Sequence, residues 1–224
     1  DLRAVDIKAS EDGASFVIEV SSKAQRLFGF GHAVIDGVHI PFAGSHQVRN
    51  ALAAAAAGLS EGIAPELVKS ALAGFKPSAM RMAVKKAKQG FDVLDDTYNA
   101  NPESVPAALD SAMALASGRP VYMVLGGMVE LGERSLELHH ELGAKLARQR
   151  VSGIITMGEL GYGIHEGLLA AGFVGAIHTG SHEEAAAGIA SIAKQGSLVL
   201  IKGSRAIGMD KVVSILTGIT ESPH

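Results

Sequence analysis

From residue 90 onward, short apolar runs recur near residues 91–95, 120–125, 153–157, 174–178 and 197–201. Stretches of helical periodicity lie between them, near 103–116, 133–149, 160–171 and 182–194, and a last one follows near 208–217. Strands alternating with helices at this rhythm dictate βαβ units and a largely parallel sheet. The fold class read from this pattern is α/β. Leu138, Leu142 and Leu146 repeat at four-residue spacing in the second helix, and Ser181 to Glu184 forms an S-x-x-E capping box before the fourth. Right-handed crossovers bring the carboxyl ends of the strands to one rim, where open α/β sheets bind ligands.

Three loops on that rim are polar or glycine-rich. The first is Asp95-Asp96-Thr97-Tyr98-Asn99-Ala100-Asn101-Pro102, after the first strand. Asn101 is a good N-cap there, and Pro102 suits a first helical position. Two carboxylates, a tyrosine and two asparagines suit ribose hydroxyls, a metal-bound phosphate or an adenine edge. The same residues also read as a turn whose Asp and Asn side chains cap the backbone. The second loop is Gly126 to Glu133, and the third is Lys202-Gly203-Ser204-Arg205, where two cations flank small residues in a clamp for a carboxylate or phosphate. Three such loops on one rim point to a binding cleft. No strand is followed by G-x-G-x-x-G, no G-x-S-x-G elbow occurs, and His139-His140 lacks metal-ligand spacing.

The first part of the chain has another texture. Residues 1–45 read as β-rich: Phe16, Ile18 and Val20 alternate, and Asp36-Gly37 between apolar runs signals a hairpin. Phe28-Gly29-Phe30-Gly31 lacks phosphate-loop spacing and reads as a turn or a close backbone approach. Gly44 to Asn50 opens an alanine-rich helix from Ala51 to about Leu59, with His46 and Asn50 on one face. Pro65 starts a helix that Gly74 stops, with Leu67, Val68, Ala71 and Leu72 on one side. Lys76 to Gln89 reads as a linker whose lysines form a solvated edge. Arg81 within it reads as a surface arginine or as a bidentate grip on phosphate.

Composition narrows the function classes. A hydrophobic fraction of 47% supports a real core, while a net charge of −3 without a basic stripe argues against nucleic acid. Cysteine is absent, which excludes disulfides and thiolate metal sites and fits a reducing, cytoplasmic setting. The longest apolar run, Ala51 to Leu59, is far too short to span a bilayer, and no signal peptide is visible. A chain that starts at Asp1 is expected to be cut from something longer.

Taken in order, Gly44-Ser45-His46-Gln47-Val48-Arg49-Asn50-Ala51-Leu52-Ala53, Arg81, Asp95 to Pro102, Leu125 to Glu133 with His139, and Lys202 to Arg205 resemble the Mur ligase family. The likeness is to the branch that adds D-alanyl-D-alanine to UDP-MurNAc-tripeptide in peptidoglycan synthesis. It is strong over about residues 44–216 and loose before that. It implies an ATP- and magnesium-dependent ligase that makes an acyl phosphate for an amine to attack. It further implies that residues 1–78 are the α+β tail of a central ATPase domain and 79–224 a Rossmann-like C-terminal domain. Asn50 would face adenine and Arg81 the ATP phosphates or ribose. Asp96 would hold the ribose hydroxyls, with Tyr98 and Asn99 beside the base. Lys202, Ser204 and Arg205 would line the rim that seats D-Ala-D-Ala. Closure about a linker near Pro77 to Met82 would be the working motion.

The chain departs from the family pattern in several places. The G-T-N-G-K-T phosphate loop is absent, as are the carbamylated lysine and the central-domain Glu and His that hold magnesium, and so is the UDP domain. Gln47 stands where the family usually has Asn, and Gly127 where it has Asp. The chain alone is therefore expected to be inactive, with most Mg2+ ligands in the missing part. Two other readings fit less of the motif set: a folylpolyglutamate- or cyanophycin-type ligase, and a non-catalytic nucleotide-binding or interaction module.

Overall fold

The computed structural model describes residues 1–10, 13–29, 31, 33–41, 45–76 and 80–219. The chain divides into two compact units, Asp1–Pro77 and Ser78–His224.

The first unit is an antiparallel sheet of β1 (Leu2–Ser10), β2 (Gly13–Val20) and β3 (Val34–Ile40), in that order, with helices α1 (Ser22–Phe28), α2 (Ser45–Ser60) and α3 (Pro65–Ala73). Alternation on β2 buries Phe16, Ile18 and Val20 against Val48, Ala51, Ala55 and Leu59 of α2 and Val68 of α3. On α3, Val68 and Leu72 face this core but Leu67 is exposed. The alanines at 51 and 55 let that helix pack closely, and it begins at Ser45 rather than Ala51.

Asp36-Gly37 does not turn the chain. The β2–β3 register passes from Phe16↔Val38 to Ile18↔Ile35, so β3 carries one extra residue. Gly37, at φ 67°, takes the left-handed conformation of a bulge. The glycines after Phe28 end a helix that sequence periodicity did not reveal. Ser21 Oγ caps its start by accepting from Ala24 N at 3.2 Å, and Gly29, at φ 69°, closes it. A side chain at Gly29 would meet nothing, so the position serves the cap and not a close approach. Residues 30, 42–44 and 77–79, where parts of the glycine patch, the helix-opening motif and the expected hinge fall, lie outside the described residues.

The second unit holds a six-stranded sheet: β4 (Ala83–Lys86), β5 (Asp92–Asp96), β6 (Val121–Leu125), β7 (Gly153–Met157), β8 (Ala176–Thr179) and β9 (Leu198–Lys202). Their spatial order is β4-β5-β9-β6-β7-β8, with β4 antiparallel at one edge and the other five parallel. Each of the five apolar runs is one of the parallel strands. Helices α4 (Ser104–Ala116), α5 (Ser135–Leu146) and α6 (Gly158–Ala170) cover the face that carries Leu94, Met123, Ile154 and Leu200. Helices α7 (His182–Ile192) and α8 (Asp210–Thr217) cover the face that carries Val93, Val124, Ile155 and Val199. A sheet covered on both faces needs apolar residues at successive positions, which is why the strands read as continuous runs.

The stretch read as a linker contains β4. Lys86 and Lys88 are exposed on this edge as expected, though Lys86 Nζ reaches Asp92 Oδ1 at 2.5 Å, whereas Lys85 turns inward, its Nζ 2.7 Å from the buried Asp95 Oδ2. Charged residues on an edge strand also discourage pairing with another chain. On the covered face, α5 and α6 approach until backbone meets backbone. A Cβ at Gly143 would overlap Ile164 O, and one at Gly167 would overlap His140 O. The last strand in sequence, β9, sits between β5 and β6, so the three polar loops leave adjacent strands.

Candidate functional site

Strand alternation separates the two neighbouring carboxylates. Asp95 turns toward the α8 side and is buried: its Oδ1 accepts from Thr97 N at 3.2 Å and Thr97 Oγ1 at 2.7 Å, and its Oδ2 accepts from Lys85. It shapes the turn. Asp96 falls on the opposite side. Lys202 Nζ donates to Asp96 Oδ2 at 2.5 Å and to Asn99 O at 2.7 Å.

Ser204, two residues past Lys202, is equally buried. Its hydroxyl donates to Ala100 O at 3.2 Å and accepts from Val129 N at 3.0 Å, so one side chain ties the loops of β5, β9 and β6. Backbone bonds reinforce the tie: Gly126 N donates to Lys202 O at 2.9 Å and Ser204 N to Gly127 O at 3.1 Å. His139, on α5, is buried beneath the β6 loop. Met128 N donates to its Nε2 at 2.8 Å, which leaves Nδ1 to donate to Ser135 O at 2.6 Å. The imidazole is thus neutral with its proton on Nδ1.

The glycines of these loops answer to packing. A Cβ at Gly126 would stand 2.8 Å from Ile207 Cγ2 and Met209 Sδ, and one at Gly203 would stand 2.6 Å from Met209 Cγ. At Gly127 it would overlap Leu160 Cβ at the start of α6. A carboxylate at 127 does not fit this arrangement unless α6 shifts.

Arg81 lies over the Tyr98 ring, 4.1 Å from guanidinium carbon to centroid, as a cation–π pair. The stack is held by an uncommon backbone: Met80 and Met82 on either side have φ 68° and 54°, and Tyr98 N donates to Met80 O at 3.1 Å. Left-handed backbone at non-glycine residues costs about 1–2 kcal/mol each and persists where surrounding structure enforces it. Arg205 Nη1 reaches Met80 Sδ at 3.1 Å, and lies 3.7 Å from Asp210 Oδ1 with 45% of the side chain exposed. Asn99 Oδ1 accepts from Ala100 N at 2.9 Å. Asn101 holds the turn that leads into α4, accepting from Glu103 N and Ser104 N at 3.1 and 2.7 Å, while Ser104 Oγ accepts from Asn101 N at 3.0 Å; the cap position itself falls on Glu103. The helix itself begins at Ser104, past Pro102.

Seven of the eight residues picked from sequence, Arg81, Asp96, Tyr98, Asn99, Lys202, Ser204 and Arg205, therefore share one rim of the second unit. Asn50 belongs to the first unit, exposed on α2, where its Nδ2 donates to Gln47 Oε1 at 3.3 Å. Sequence reasoning missed Met80, which anchors both Arg205 and the Tyr98 loop; Glu130, within the glycine-rich loop already singled out, is exposed at φ 64°. Met80 carries no sequence signal, because its role is defined by backbone conformation. Among the described residues no three His, Asp or Glu side chains group to hold a metal ion.

Residues 80–205 match the Mur ligase family through its glutamate ligase domain. The chain belongs to the Mur ligase family. The match begins at Met80 and ends at Arg205, the two residues that touch across the rim, and it contains all seven rim residues but not Asn50. Among Mur ligase relatives, the UDP-N-acetylmuramoyl-tripeptide–D-alanyl-D-alanine ligase of Bacillus subtilis is 32% identical over all of this chain and 46% of its own length. A crystal structure of MurF from Acinetobacter baumannii superposes with a TM-score of 0.78 at 29% identity, over 98% of this chain and 45% of that one. MurF from Thermotoga maritima, solved in complex with ADP, shares the fold at a TM-score of 0.73 and 24% identity, over 97% of this chain and 46% of that one. The chain thus spans under half the length of the Mur ligases it matches.

Proposed function

We propose that this chain is part of an ATP-dependent ligase that joins D-alanyl-D-alanine to UDP-MurNAc-tripeptide. The observation that carries the reading is the likeness, across the full chain, to a Bacillus subtilis ligase named for that reaction. Residues 1–78 would be the tail of the central ATPase domain and 79–224 the C-terminal domain. The chemistry is attack of the dipeptide amine on an acyl phosphate: a C–N bond forms and inorganic phosphate leaves.

The rim supports a division of labour. Tyr98, Asn99 and Asp96 form the nucleotide side, with Arg81 stacked at its edge; Asn50, which belongs to the first unit, keeps the adenine role that the family likeness implies. Asp96 accepts hydrogen bonds from ribose hydroxyls through the oxygen that Lys202 leaves open. Within the loop after β9, Arg205 marks the dipeptide side as the partly exposed cation that suits a terminal carboxylate. This division positions reactants more than it stabilises the transferring phosphoryl group. Magnesium, when bound, neutralises phosphate charge, and no described cluster of this chain is assigned to it. No helix among the described residues is long and apolar enough to cross a membrane, and the reading assigns the protein to the cytoplasm.

The test is ADP release with Mg-ATP, UDP-MurNAc-tripeptide and D-Ala-D-Ala. The chain alone, which has no G-T-N-G-K-T loop, releases none. A longer protein that carries the loop releases ADP, and Asp96→Ala lowers that release. Turnover with glutamate in place of D-Ala-D-Ala would overturn the substrate.

A further inference from the structure

A lysine kept for a ligand presents its ammonium to solvent. Lys202 does not: its side chain is 4% exposed, and two of its three N–H bonds go to Asp96 Oδ2 and Asn99 O. Asp96 is 14% exposed on its side chain, and its Oδ1 has no protein partner among the described residues and is not sealed from solvent. A carboxylate this buried needs a countercharge, and a short charge-assisted bond to one oxygen also fixes its rotamer. The second bond, to Asn99 O, fixes the turn that follows.

We propose that Lys202 is a positioning residue that acts on nucleotide through Asp96, holding the free carboxylate oxygen for the ribose hydroxyls, and touches neither phosphate nor dipeptide. This rests on the reading of Asp96 as the ribose-binding group. It makes a distinction that direct contact does not. A lysine on phosphate discriminates ATP from adenosine, whereas one that works through the ribose oxygen treats them alike. The latter loses its influence when the ribose hydroxyls are removed.

Calorimetric titration of the longer protein with ATP, ADP, adenosine and 2′,3′-dideoxy-ATP separates the two. Lys202→Met is expected to weaken ATP, ADP and adenosine by one common factor, on the order of tenfold, and to leave dideoxy-ATP unchanged. Lys202→Arg recovers part of the loss. Lys202→Met adds nothing once Asp96→Asn is present, and that double variant, with both charges gone, keeps the fold should the single one melt. A loss that grows with the number of phosphates, or an equal loss for dideoxy-ATP, overturns the inference. Wild-type protein that binds ATP no better than dideoxy-ATP overturns the ribose reading of Asp96. Wild-type protein that binds none of the four overturns the nucleotide reading and this inference with it.

Discussion

Asp96 and Lys202 are 106 residues apart in the chain and 2.5 Å apart in the fold. Asp96 ends β5 and Lys202 ends β9, and the parallel register pairs them directly. One pair therefore closes the rim at the seam between two neighbouring loops. Ser204 repeats the pattern one step along, from Ala100 to Val129. Other parts of the second unit make predictions of their own.

At the opposite end of β5, Asp92 faces two cations, Lys86 Nζ at 2.5 Å and Arg119 Nη1 at 2.6 Å. Burial pushes its carboxyl up, but hydrogen bonds and charge from Lys86 and Arg119 outweigh that and hold it below the ordinary 3.8. The folded state thus binds this proton less readily than the unfolded chain. The stabilisation is fully present above pH 3.8 and is lost as pH falls through the lowered folded value. Asp92→Asn should lower stability at pH 7 by about 1–3 kcal/mol and flatten the acid limb of a urea-denaturation series. An unchanged acid limb would remove Asp92 from the account.

His178 acts in the same sense at higher pH. Burial first, and then the neighbouring His165 charge, hold its imidazole below the ordinary 6.5. Its Nδ1 is 3.0 Å from Thr156 Oγ1, and its ring stands edge-on to Tyr162 at 5.1 Å between centroids. The unfolded chain takes up the proton first, so stability falls as pH drops through 6.5 toward the lower folded value. Denaturation of His178→Asn at pH 8 and pH 5.5 should show a smaller difference than wild type. An equal difference would place the acid sensitivity elsewhere.

Two glycines of α6 should respond with opposite sign. A Cβ at Gly161 meets its nearest atom, Leu125 O, at 3.6 Å, which is ordinary contact. Gly161→Ala should raise stability by about 0.5–1 kcal/mol, since alanine suits a helix better. At Gly167 the added carbon would overlap His140 O on α5, and Gly167→Ala should cost about 1–3 kcal/mol or more by forcing the helices apart. Thermal melts of the two variants decide it, and a stabilising Gly167→Ala would show that α5 gives way easily.

His139 offers a test of the loop it supports. Replacing it with Phe leaves Met128 N–H and Ser135 O without their partner inside the protein. The expected loss is about 1–3 kcal/mol. Hydrogen exchange should accelerate at Met128 more than at Val124 in the strand beneath it. Uniform acceleration across both would mean the histidine only fills space.

Much of the second unit was legible because its signals are local. Apolar runs, the Ser181 cap and Asn101 before Pro102 place strands and helices to within a few residues. The Ser181 box is even partly literal: Ser181 Oγ accepts from Glu184 N, while Glu184 Oε2 reaches Gly180 N and not the cap's own amide. The first unit was less legible. An Asp-Gly pair marks a left-handed residue, and a hairpin and a bulge both need one, so the pair at 36–37 did not tell them apart. In the second unit Lys85 looked solvated because its partner, Asp95, belongs to another strand.

The sequence by itself determined the alternation of strand and helix and the three loops that reach the rim, since both follow from periodicity and from the ends of apolar runs. Only the tertiary structure decided which of two adjacent carboxylates faces which way, and that Lys202 and Ser204 are buried links. Those outcomes depend on β9 entering between β5 and β6, a contact across more than a hundred residues that no local pattern encodes.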